Sequence, residues 1–129
     1  MRANARSIEV PGIGHNAPIP LAARVGPLLC SSAIAGKDPA NGQLPASAHD
    51  QVRQAFANLD AVLAAAGGGL EHLVKLAITL ADNGLRDAVN QEWLARFPDA
   101  HDRPARHITV QPLGHGMQIQ LECMAFIQP

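Results

Sequence analysis

SAHDQVRQAFANLDAVLAAAG (residues 47–67) and the run VKLAITL (residues 74–80) that follows it decide the fold. In the first stretch Val52, Ala55, Phe56, Leu59, Val62, Leu63 and Ala66 recur at helical spacing and draw one apolar stripe. Ser47 with Asp50 resembles a capping box, and Gly67 supplies a stop. In the second stretch the period drops to two. Val74, Leu76, Ile78 and Leu80 alternate with Lys75, Ala77 and Thr79, which predicts a strand with one strongly apolar face.

Working outward, Leu21–Val25 and Leu28–Ser32 flank Gly26-Pro27 and read as a hairpin. Asp38-Pro39-Ala40-Asn41-Gly42 then supplies turn chemistry. Residues 1–20 show no sustained period and hold at most one short strand, with 1–16 an irregular arm. Beyond the central strand, Asp82-Asn83-Gly84 turns the chain into a second helix whose inner face carries Leu85, Ala88, Val89, Trp93 and Phe97, ended by Pro98. Two more strands, His107–Gln111 and Met117–Ile127, complete a β-β-α-β-α-β-β order. The fold class is α+β, with both helices on one face of a sheet.

The length of 129 residues, 47% of them hydrophobic, suits one domain over 1–129 with one core. Basic and acidic residues number 10 and 11, and with three Phe, one Trp and no Tyr there is neither the charge nor the stacking surface of a nucleic-acid binder. Cys30 and Cys123 lie in apolar runs, where a thiol acts as a small hydrophobe, and imply no disulfide framework. His15 and His115 sit in Gly-flanked loops without ligand spacing, so no metal is expected. No apolar leader follows the first charges and no run of about 18 apolar residues occurs, so no membrane span is expected and the cytoplasm is the expected compartment.

The face opposite the helices carries Lys75, Ala77 and Thr79 on the central strand and Gln118, Gln120 and Glu122 on the last. It is neither freely polar nor a good core, the composition of a subunit contact with wet pockets, so a homo-oligomer is expected. Arg106, in Arg103-Pro104-Ala105-Arg106, puts a guanidinium at the mouth of a strand, where it suits a small carboxylate. The alternative is an Arg106 ion pair with Glu122 or Asp82.

Those residues, with Gln120-Leu121-Glu122-Cys123-Met124-Ala125, the Asp38 to Pro45 turn, and Asn58-Leu59 through Ala66-Gly67 to Val74-Lys75, resemble the Rid/YjgF family. The resemblance covers nearly the whole chain from about Ala17. It implies a chorismate-mutase-like fold, a homotrimer with ligand sites between subunits, and cofactor-free hydrolysis of enamines and imines such as 2-aminoacrylate to ammonia and a 2-keto acid. By that resemblance Arg106 grips the substrate carboxylate and Ser32 lines the pocket. The chain departs from the family pattern at several places. Ala33-Ile34 stands for Gly-Gln, Ile19 for a tyrosine, His107-Ile108 for Ser-Cys, and Gln120 for the glutamate that handles water. The segment from Arg106 to Leu113 is also one residue shorter.

Ile19 and Ile34 then make the pocket more apolar and suit a bulkier ligand. Gln120 cannot act as a base, although its amide can orient water. Glu122, retained on the same strand face, and His107, beside the carboxylate grip, are the candidates for moving protons. The candidate catalytic set is therefore Gln120, Glu122 and His107, and the substrate-binding set Arg106, Ser32, Ile19 and Ile34. The other reading is a non-catalytic trimeric module that binds small carboxylates in the same Arg106 cleft.

Overall fold

A computed structural model describes residues 5–128, so the first four residues of the predicted arm lie outside it. The arm contributes a two-residue strand, β1 (Ser7–Ile8). Strands β2 (Ala22–Val25) and β3 (Leu28–Ser31) form the expected hairpin, turning at Gly26, whose φ is +58°. A short strand absent from the sequence reading, β4 (Ile34–Ala35), follows. Next come α1 (Ala48–Ala65), β5 (Leu73–Leu80), α2 (Arg86–Arg96), β6 (Ala105–Val110) and β7 (Ile119–Phe126). The sheet runs β1-β2-β3-β7-β5-β6, with β4 also paired to β7, and only β5 and β6 are parallel. Their crossover is α2.

Local chemistry sets the helix ends. Ser47 Oγ accepts the Asp50 N–H, so the predicted cap forms. At the other end Gly67 has φ +85°, and the Gly68 N–H returns to the Leu63 carbonyl, closing α1 as a glycine stop. Both helices lie on one face, where Phe56, Leu59, Leu63, Leu76, Ile78, Leu80, Ile119 and Leu121 are sealed from solvent. The helices are tied to each other by Arg96, which pairs with Asp60 and Glu92 and lies over the Phe56 ring. Burial works against the charge on Arg96, but its hydrogen bonds and attraction to Asp60 and Glu92 outweigh that and raise its pKa.

Three readings of individual side chains change. A bulge between Leu73 and Lys75 breaks the alternation, so Leu73 takes the core place expected of Val74, and Val74 is exposed. Cys30 is exposed rather than core-like, because it faces the side away from the helices beside Met124. Ile34, read as a pocket residue, is wholly buried in the core opposite Leu121. Cys123 is buried as expected, which pushes its thiol pKa up.

Candidate functional site

Arg106 lies in register with Leu76, and Ile108 with Ile78, so both point to the helix side of β6. There the guanidinium donates to Asn90 Oδ1 at 2.9 Å and stacks over the Trp93 ring at 4.9 Å, both partners coming from α2. Among the described residues it makes no ion pair, so the structural pairing with Glu122 or Asp82 is not formed. Burial, then the neighbouring Arg86, lowers its pKa below the ordinary arginine value, which still leaves it charged. A half-buried cation with one amide and one aromatic face, and no carboxylate, retains free N–H donors for an external acid.

Gln120 lies on the other face. Its neighbours Ile119 and Leu121 are in the core, while Gln120 itself pairs across to Ala35 and Thr79 and borders a cavity of about 550 Å³. Ile13, His15 and Asn16 of the arm line that cavity, as do Ala33 and Ala35, the Lys37–Leu44 turn, and the loop carrying His115 and Met117.

Two buried polar side chains of α1 hold its walls. Asn58 Nδ2 donates to the carbonyls of Ala35 and Lys37 at 2.9 and 2.8 Å. Gln51 donates to the carbonyls of Pro45 and Gly116 and accepts from the Gln118 N–H, fixing the loop ahead of β7. Gly36 runs close beside α1, since a Cβ there would sit 2.2 Å from the Gln51 carbonyl oxygen. The Gln120 amide donates to Met117 Sδ at 3.4 Å, a weak bond that a bound water or ligand can replace.

The structure separates the remaining candidates. His107 and Glu122 are exposed and flank Ala77 on the open face, each in register with it from opposite sides. That spacing is about two strand widths, roughly 10 Å. Neither lines the cavity. Ser32 is half-buried next to Ala33, with its N–H on the Leu21 carbonyl, and Ile19 is 46% exposed. The reading from sequence considered His15 and His115 only as metal ligands and set them aside, whereas the fold brings both, far apart in the chain, to the lining of one cavity. It also passed over Asn90, for which the only signal was its place on the helix facing Arg106. Among the described residues no group of three or more His, Cys, Asp or Glu is placed to hold a metal, and no helix is long and apolar enough to cross a membrane.

The family described as Endoribonuclease L-PSP matches residues 17–127. The chain belongs to this family, the Rid/YjgF family. Among its members, the mitochondrial protein mmf1 of Schizosaccharomyces pombe is 37% identical over 105 residues, 78% of this chain but only 62% of that protein. The 2-iminobutanoate/2-iminopropanoate deaminase of Mus musculus is 30% identical over 113 residues, 87% of this chain and 83% of that protein. RidA from the Antarctic bacterium Psychrobacter sp. superposes with a TM-score of 0.83 at 27% identity, covering 98% of this chain and all (100%) of that one. The Rid/YjgF fold therefore agrees with the α+β architecture read from the residue pattern and with the chorismate-mutase-like fold that the resemblance implied.

Proposed function

We propose that this Rid/YjgF chain hydrolyses carboxylate-bearing imines and enamines to a 2-keto acid and ammonia, in sites completed between the subunits of a homotrimer. The observation that carries the reading is the placement of Arg106. Its guanidinium has no acid partner among the described residues, and it projects from the opposite face of the sheet to the Gln120 cavity. One protomer thus offers a carboxylate grip on one surface and a cavity on another, and a neighbouring copy is what brings the two kinds of surface together. The open face supports such an assembly, because Val25, Leu28, Met124 and Phe126 leave apolar side chains exposed there.

The names of relatives such as the mouse deaminase point to the same chemistry. In it, Arg106 binds the acid through two parallel charge-assisted bonds, and Gln120 holds a water beside the C=N carbon. The apolar walls from Ile13, Ala33, Ala35 and Leu44 and a volume near 550 Å³ suit a substrate bulkier than 2-aminoacrylate. One observation favours the non-catalytic alternative: Gln120 is an amide, and among the described residues no carboxylate lines the cavity.

Ammonia release distinguishes the two. With imino acids generated in situ from 2-aminobutyrate and from leucine, the deaminase reading expects release above the spontaneous rate, faster for the larger substrate. Carboxylate binding without any acceleration would leave only the binding module.

A further inference from the structure

Beside Arg106 stands a second cation that a grip for one carboxylate leaves unexplained. Arg86 opens α2, one turn before Asn90 and two before Trp93, so the three side chains share one face of the helix. Asn90 Oδ1 and the Trp93 ring are the two groups that hold the Arg106 guanidinium. Side chains one turn apart leave a helix about 5–6 Å from each other, which brings Arg86 to the same end of the site. The two charges act on one another: burial first, and Arg86 second, lower the Arg106 pKa. Neither guanidinium is neutralised within the chain. Arg86 is exposed and donates its Nε–H to Asn83 Oδ1 at 2.6 Å, which leaves its two amino groups without a partner among the described residues. The Asp82 carboxylate accepts the Gly84 N–H, and Asp87 projects roughly 100° round α2 from Arg86. Among the described residues neither acid pairs with Arg86 or Arg106. The first turn of a helix is also the end where its dipole disfavours a cation. Two like charges held together there, with no acid between them, leave a place for two negative charges from outside.

We infer that Arg86 is a second carboxylate grip beside Arg106, so that the site takes imino acids with another acid group at the far end of a short chain, the class formed from dicarboxylic amino acids. The inference rests on the deaminase reading above and adds what the substrate's side chain carries. Each guanidinium is a planar fork that meets one carboxylate through two parallel charge-assisted bonds. Both stay charged at any working pH. Arg106 holds the acid next to the C=N bond, and Arg86 holds the remote one. The carboxyl carbons of a five-carbon diacid lie roughly 5 Å apart, which matches side chains separated by one helical turn. That arrangement leaves the reacting carbon free for the Gln120 cavity. A monoacid of the same length leaves Arg86 to water and forgoes its bonds.

The test compares ligands of equal chain length. Titration calorimetry measures 2-oxoglutarate against 2-oxopentanoate, and ammonia release is followed from the imino acids generated in situ from glutamate and from norvaline. Native protein is expected to bind 2-oxoglutarate about 5-fold more tightly and to show the same preference in kcat/KM, the scale of one exposed charge pair. Arg86→Gln should bring the two affinities together by weakening the diacid about 5-fold more than the monoacid, and Arg86→Lys, which keeps the charge without the fork, should lie between. Raising salt from about 50 to 500 mM should shrink the native preference, since the second grip is exposed. Melting temperature identifies folded variants, and Arg86→Ala replaces any that fails. Equal native affinity for the two ligands, or an equal loss of both in Arg86→Gln, would overturn the inference; ammonia release from both imines would then leave the deaminase reading intact. A diacid preference that disappears in Arg86→Gln, with no ammonia from either imine, would uphold the second grip and overturn the deaminase reading.

Discussion

Arg106 is a cation whose fixed partners are an amide and a ring, and this sets what substitution should do. Asn90 takes one N–H and Trp93 covers one face, leaving the rest of the fork for a carboxylate. Lysine offers a point charge with no planar fork, so Arg106→Lys is expected to weaken 2-oxobutanoate binding about 10- to 100-fold while the melting temperature holds. Titration calorimetry with equal affinity for both proteins would make Arg106 a structural residue. Trp93→Leu removes the cation–π face, a contribution of about 0.5–1 kcal/mol, along with core packing against Phe97, and should raise the dissociation constant about 2- to 5-fold while also lowering the melting temperature. Arg106 was legible in the sequence because its motif is local. That His15 and His115 line one cavity with Gln120 was not, because the three come together only through tertiary packing.

At the scale of elements, helix α1 builds the cavity as well as the core. Its apolar stripe buries Val52, Phe56, Leu59 and Leu63, while Asn58 and Gln51 reach sideways to hold β4 and the loop before β7. Asn58→Leu leaves the partly buried Ala35 and Lys37 carbonyls without their donor and should destabilise the fold by about 2–4 kcal/mol. Urea unfolding measures this, and a change below about 0.5 kcal/mol would show that water replaces Asn58 readily. The alternation of Leu76–Leu80 and the stripe of α1 placed β5 and α1, because both are period signals. Strand β4 escaped because two residues carry no period, and with it went the distinction between core Ile34 and cavity-lining Ala33 and Ala35. The Leu73/Lys75 bulge escaped for a similar reason: it is set by pairing with β7, not by local sequence.

For the whole molecule, the open sheet face leaves Leu28, Met124 and Phe126 between 43% and 47% exposed on adjoining strands, beside Cys30. An apolar group of this kind on a paired sheet is a candidate contact between copies. Met124→Arg puts a charge there and should convert the proposed trimer to monomer at micromolar concentration by analytical ultracentrifugation, with ammonia release falling in step. Full activity in the monomer would place the whole site within one chain. The central claim is that Arg106 of one subunit serves the cavity of another, and mixed trimers test it most directly. Arg106→Ala removes the grip and Ala33→Trp fills the cavity, so each protein alone should be inactive. When the two are co-refolded at equal amounts, random assembly restores one intact grip facing one intact cavity at about a quarter of sites, and about a quarter of native ammonia release should return. A mixture that stays as inactive as its two parts would contradict the account.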